Sequence, residues 1–246
     1  MSTVPATGTA TTSTQAAHTP AAHTPIYDAV VFDCDGVIVD SEGIALEVTL
    51  RIVTELGWQT DFDTLAKLFV GSSSEYYHAT LAERVGRPLE PGWDAPYKHW
   101  LDEAFAERLQ AIPGIVEALD RLTVPFALAS NSRNARIRSS LDTVGLRDRF
   151  EGRICSAEDE AAGKPAPDVY LSAARKLGVD PARCIAVDDS PTGVLAAERA
   201  GMLVLAYTGH FGPEEFPQSD RVIALHDMRE LPRVVEQLRF PERSHG

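Results

Sequence analysis

Short apolar runs that end in small polar or acidic residues recur along this chain. They are "YDAVVFDCD" (27–35), "VPFALAS" (124–130), "GRICSA" (152–157), "CIAVDD" (184–189) and "MLVLAYT" (202–208), with a weaker sixth, "RVIA" (221–224). A near-continuous apolar run of this length reads as a strand buried on both faces, as in parallel sheets. Helical patterns fill most of the gaps: "GIVEALDRL" (114–122), "NARIRSSLDTVGL" (134–146), "PDVYLSAARKLGV" (167–179) and "GVLAAERAG" (193–201), with "MRELPRVVEQL" (228–238) closing the series. Strands alternating with helices predict an α/β chain, an open parallel sheet with helices on both faces.

One stretch breaks the alternation. Residues 44–110 hold no strand candidate, while "IALEVTLRIVTELGW", "FDTLAKLFVG", "SEYYHATLAERVG" and "WDAPYKHWLDEAFAERLQ" all have helical spacing. The sequence therefore predicts an α-helical insertion at 44–110, a cap domain, between two parts of one core at 26–43 and 111–240. Short crossings near "SEG" (41–43) and "IPG" (112–114) suit a cap that rocks. Residues 1–25 have no large apolar side chain after Val4 and repeat AAHTP. They read as a disordered arm, in which His18 and His23 are solvated, and 241–246 as a flexible end. The arm has no apolar central run, so it does not read as a secretory signal, and no segment reaches the length of a membrane span.

The net charge of -13 argues against a general nucleic-acid binder. An acidic protein that handles anions must do so locally, with a metal or a few placed cations. Cys34, Cys155 and Cys184 are odd in number and widely spaced, which fits neither a disulfide framework nor a zinc site. A reducing cytoplasm is the simplest setting.

In open parallel sheets, ligands bind beyond the carboxyl ends of the strands. Those ends deliver Asp33 and Asp35, then Ser130 and Asn131, then Asp188 and Asp189, and "AGKPAPD" adds Lys164 near a helix start. Four carboxylates at one edge repel unless a divalent cation sits among them, and Mg2+ prefers oxygen ligands. With one lysine, a hydroxyl and backbone N–H groups, the set suits an oxygen-rich anion such as phosphate. Singly, each residue has a plainer reading: Asp35-Gly36 a turn, Asp-Ser a cap, Lys164 a surface residue. Their order at successive strand ends favours the functional one. A calcium loop does not fit, because Val37 and Ile44 stand where its acids are needed.

With "DCDGVIVDSE", "ASNS", "GKPAPDVY" and "VDDSPTG...AAERAGM" present in this order, the chain resembles the haloacid dehalogenase superfamily, in its helical-cap branch. The resemblance covers residues 27 to roughly 240. It implies a Rossmann-like core, a mobile cap, bound Mg2+ and an aspartyl-phosphate intermediate. By that resemblance Asp33 is the nucleophile, and Asp35 the general acid and base. Ser130 hydrogen-bonds the transferring phosphoryl group, and Lys164 neutralises it. The metal takes Asp33, the backbone carbonyl of Asp35 and Asp189, with Asp188 direct or through water. The retained Asp35 and "VDDS" favour phosphate chemistry over carbon–halogen cleavage.

Within the superfamily the core segments most resemble β-phosphoglucomutase-like proteins and sugar-phosphate phosphatases. Ser132, Arg133 and Asn134 match positions near a second, distal phosphate, and Asn131 is a further substrate-binding candidate; Arg133 grips an anion or is a solvated side chain at a helix start. Mutases carry a histidine ten residues after the acid/base aspartate and an arginine in the cap loop; here these are Ala45 and Ser74. The resemblance thus implies a phosphatase acting on a small sugar, polyol or sugar-acid phosphate, with a mutase as the alternative. The expected substrate loop is "GSSSEYYH" (71–78), where Ser72, Ser73 and Ser74 offer hydroxyls and Tyr76 or Tyr77 either stacks on a sugar or packs the cap. His78, His99 and Lys98 are weaker candidates, Cys34 points into the core, and Asp40 is expected to organise the hinge. A receiver-like signalling domain would be about half as long and lack the second catalytic aspartate. A non-catalytic binder would have lost a motif. The expected partner is a small phosphorylated metabolite, with no nucleic acid or membrane, and the protein a monomer or weak dimer.

Overall fold

The computed structural model describes residues 26–70, 74–209 and 211–240, with Ser74 and Glu75 as backbone only. Six strands form one parallel sheet: β1 (Ala29–Phe32), β2 (Phe126–Ser130), β3 (Ile154–Ser156), β4 (Cys184–Asp188), β5 (Leu203–Tyr207) and β6 (Val222–Leu225). Their spatial order is β3-β2-β1-β4-β5-β6, so the chain reverses direction of growth between β1 and β4. At such a switch point the connections leave on opposite sides and open a crevice above the strand ends.

Side-chain alternation divides the core. Val30, Phe32, Leu128, Ile185, Val187 and Leu205 face one layer, joined by Ile115 and Leu119 of α5 (Ile115–Arg121), Ile137 and Leu141 of α6 (Asn134–Thr143), and Leu231 and Val235 of α10 (Leu231–Arg239). The short α7 (Arg147–Phe150) adds Phe150, whose ring meets Phe32 and Phe126 edge-on. The helix read from 134 to 146 ends at Thr143, because Gly145 turns to a φ of 69° before α7 begins. The opposite face is lined by Ala29, Ala127, Ala129, Ala186 and Ala206. It receives α8 (Asp168–Leu177) and α9 (Pro191–Arg199) through Ala173, Ala174, Ala196 and Ala197. Small residues on both partners let these helices lie close to the sheet.

The run without strands is helical: α1 (Glu42–Glu55), α2 (Phe62–Phe69), α3 (Ser74–Val85) and α4 (Lys98–Arg108). It has a small apolar centre of its own at Leu46, Val53, Leu65, Phe69 and Leu81. Phe105 of α4 instead joins the core beneath the sheet. The two chain crossings lie side by side, with Asp40 N donating to Gln110 O at 2.9 Å and Ile112 N to Ile38 O at 3.0 Å. Helix α1 starts at Glu42, within the stretch expected as a linker. Among the described residues, no helix is long and apolar enough to cross a membrane.

Candidate active site

Strand β1 delivers Asp33 where its own N–H donates to Val187 O of β4 at 2.9 Å, so the switch point carries the first carboxylate. The end of β4 carries Asp188 and Asp189. Carboxylate oxygens of Asp33, Asp188 and Asp189 lie within 4.8 Å of one another, and all three residues are largely buried. Lys164, from the segment before α8, places Nζ 2.8 Å from Asp33 Oδ1 and 2.8 Å from Asp188 Oδ2. Asp33 and Asp188 thus share one ammonium, and Asp189 adds a third acidic group beside them in a dry setting. Burial drives the Asp33 carboxyl well above its ordinary range; Lys164 opposes this, while Asp188 and Asp189 add to it. Burial acts to lower the Lys164 pKa, but the charges of Asp188 and Asp33 outweigh it and hold the ammonium firmly protonated.

This donor set fits a hard divalent cation: the oxygens are anionic, close together and short of positive charge. Gly36 supplies further room. Its φ is 75°, and a Cβ there would stand 1.9 Å from Asp189 Oδ2. Gly193, on α9, is needed for the same reason, since a Cβ would meet Asp188 Oδ2 at 2.0 Å. Asp188 itself is satisfied on both oxygens. Tyr170 OH donates to Oδ2 at 2.5 Å, and Ser190 donates from N and Oγ to Oδ1, each at 2.9 Å.

Asp35 stands beside this cluster and is held differently. Ser41 Oγ donates to its Oδ1 at 2.8 Å and Ser132 Oγ to its Oδ2 at 2.8 Å. Ser41 precedes α1 as its N-cap, yet its hydroxyl makes no cap bond and serves Asp35 instead. Asn131 secures the loop that carries Lys164, its Oδ1 accepting from Lys164 N at 2.8 Å. Asp33, Asp35, Ser130, Asn131, Lys164 and Asp189 all line one cavity of about 520 Å³.

The profile of the haloacid dehalogenase-like hydrolases matches residues 27–201. The chain belongs to that family. YhcW of Bacillus subtilis (strain 168), a candidate phosphatase by its name, is 35% identical over 71% of this chain and 80% of its own. The 6-phosphogluconate phosphatase of Escherichia coli (strain K12) is 28% identical over 83% and 94%. Among solved structures, a haloacid dehalogenase-like protein of unknown function from Agrobacterium tumefaciens str. C58 superposes with a TM-score of 0.74. It is 33% identical and covers 86% of this chain and 99% of that one. This haloacid dehalogenase-like hydrolase is a phosphoric monoester hydrolase for small phosphate substrates.

Not every residue expected at the site lines this cavity. Arg133 is exposed as the N-cap of α6 and does not line the cavity. Asn134 is turned away by acidic partners: its N donates to Glu158 Oε2 at 3.0 Å and its Nδ2 to Asp159 Oδ2 at 2.9 Å. Ser132 Oγ donates to Asp35 Oδ2 and so belongs to the setting of that carboxylate. Tyr76 is 48% exposed and outside the cavity lining, because the helical turn of α3 points Tyr77 inward against Phe69 instead, ring centroids 4.7 Å apart. Ser72 and Ser73 lie outside the described residues, as does the side chain of Ser74. The cavity is also lined by Phe69, Val70, Phe211 and Glu42. An apolar residue at a helix end, such as Phe69 or Val70, carries no chemical signature in the sequence. Tyr170 and Arg136 were also missed. Both sit inside helical patterns, where the sequence marks a packing face but not the partner it meets.

Proposed function

We propose that this enzyme is a Mg2+-dependent phosphatase that works through phosphorylated Asp33 and acts on a sugar, polyol or sugar-acid phosphate. The observation that carries the reading is the convergence of Asp33, Asp35, Ser130, Lys164 and Asp189 on one cavity, with Lys164 2.8 Å from Asp33. In the first step a carboxylate oxygen of Asp33 attacks phosphorus and the bond to the leaving oxygen breaks, while Asp35 gives that oxygen a proton. Lys164 and Ser130 bind and orient the phosphoryl oxygens. In the second step Asp35 takes a proton from water, the water oxygen attacks phosphorus, and Asp33 is released with inorganic phosphate. Asp33, Asp189 and the backbone carbonyl of Asp35 would hold Mg2+, whose charge would neutralise the phosphoryl oxygens and the carboxylates together.

The helical segment between the paired crossings is proposed as a cap over the site. Phe69 and Val70 at the end of α2 would cover the non-reacting face of the substrate, and Glu42 would accept hydrogen bonds from its hydroxyls. Arg133 and Asn134 stand outside the cavity, and Ala45 and Ser74 stand where mutases carry a histidine and an arginine. This supports hydrolysis over isomerisation. The test is phosphate release from p-nitrophenyl phosphate with Mg2+, followed by a panel of phosphorylated metabolites. No turnover by the wild type, or full turnover by Asp33→Asn, overturns the reading. Efficient hexose phosphate isomerisation with glucose 1,6-bisphosphate overturns the choice of phosphatase over mutase.

A further inference from the structure

Arg136 belongs to α6 and does not line the cavity, yet its guanidinium reaches the second aspartate of the site. Its Nη2 lies 3.6 Å from Asp35 Oδ1, an ion pair rather than a hydrogen bond. Its Cζ lies 4.6 Å from the ring centroid of Phe105 on α4. Its Nε is buried with no hydrogen-bond partner. The Arg136 side chain is 32% exposed, yet this one N–H is sealed from water and unsatisfied, which is unfavourable unless the charge beside it is used, and the two things it faces are an aromatic face and a carboxylate. An apolar side chain would fill the same space on Phe105 without that cost.

We infer that Arg136 is a positioning residue: clamped on Phe105, it fixes the side chain of Asp35 in the orientation from which Asp35 serves the leaving oxygen. Three elements then set one carboxylate. Ser41 from the first chain crossing and Ser132 from the β2–α6 turn supply hydroxyls at 2.8 Å, and Arg136 from α6 supplies the charge. The two hydroxyls are neutral donors, one to each oxygen, and the planar guanidinium, stacked on Phe105, adds a positive charge that draws Oδ1 to its side. Because α4 is part of the helical insertion, the clamp also ties that insertion to the catalytic loop.

The inference rests on the proposed role of Asp35 as the acid that protonates the leaving group, and the test separates the two. The specificity constant kcat/KM would be measured for p-nitrophenyl phosphate, whose leaving group departs without a proton, and for the best alkyl phosphate of the panel, whose leaving group needs one. This constant reports on the steps up to leaving-group departure. Arg136→Gln is expected to lower the alkyl phosphate constant at least tenfold more than the p-nitrophenyl phosphate constant. Arg136→Lys should recover part of that difference, and Phe105→Leu should reproduce it in weaker form. Asp35→Asn sets the full size of the effect, and adding Arg136→Gln to it should cost nothing further in selectivity. Equal losses on both substrates in Arg136→Gln, or additive losses in the double variant, would overturn the positioning role while leaving the phosphatase intact. If Arg136→Gln fails to fold, Arg136→Lys and Phe105→Leu carry the same comparison. Wild-type enzyme that releases phosphate from neither substrate, or Asp35→Asn with undiminished alkyl phosphate turnover, would overturn the underlying reading as well.

Discussion

Lys164 Nζ lies 2.8 Å from Asp33 Oδ1, an ion pair buried at the sheet edge. The same ammonium reaches Asp188, so one cation links the ends of β1 and β4. Lys164→Met should therefore leave two buried carboxylates uncompensated. Breaking a buried pair from one side costs about 3–5 kcal/mol, so the urea midpoint of the metal-free protein should fall clearly. Loss of the cation that faces the phosphoryl oxygens should lower kcat by about a hundredfold or more. Retention of both stability and activity would contradict the pairing.

Removal and return of metal should be visible without any substrate. Asp33, Asp188 and Asp189 bring oxygens within 4.8 Å of one another around excess negative charge. Mg2+ at about a hundred times its dissociation constant should add about 2.7 kcal/mol of stability. The melting temperature should rise with Mg2+ in the wild type and much less in Asp189→Asn. EDTA should abolish phosphate release, and added Mg2+ should restore it.

Gly36 and Gly43 offer a contrast within a few residues. Gly36 has φ 75° and faces Asp189, whereas a Cβ on Gly43 meets nothing within 4 Å. Gly36→Ala should cost about 1–2 kcal/mol from the left-handed backbone alone and should also displace Asp189. Gly43→Ala, in the first turn of α1, should be neutral or stabilising by about 0.5 kcal/mol. Thermal melts with and without Mg2+ separate the two, since only Gly36→Ala should weaken the response to metal.

Alkaline pH should weaken the fold. Burial pushes the Cys184 thiol up to about 12 and raises Cys34 and Cys155 as well. Burial and the charge of Asp188 raise the Tyr170 phenol. A group whose folded pKa exceeds its unfolded value stabilises fully below the unfolded value and loses that contribution as pH rises through the folded one. For Cys184 the loss begins near pH about 8.5, where an unfolded thiol ionises, and continues to about 12. Denaturant midpoints at neutral pH and at pH about 10 should show the fall, and Cys184→Ala should make it shallower.

How much of this was legible beforehand follows from the length scale of each contact. The alternation of apolar runs and helical patterns is a local property, and it located every strand and the helical insertion. Adjacent parallel strands bring their carboxyl ends to one edge, so Asp33, Ser130, Asp188 and Asp189 were already assigned to a common site by their order alone. Lys164 followed from its motif. Residues beyond the strand ends were less legible. Arg133 and Asn134 belong to the start of a helix, and the acidic side chains of Glu158 and Asp159 decided their direction.

The sequence by itself determined the sheet, the insertion and the carboxylates at the switch point, because period and motif order are carried by neighbouring residues. Only the tertiary structure decided that Tyr170 donates to Asp188, that Arg136 stands between Phe105 and Asp35, and that Phe69, Val70 and Phe211 wall the cavity. Those contacts join elements distant in the chain. Their distances depend on how helices pack and which rotamers the packing leaves open, and neither is written in any one segment.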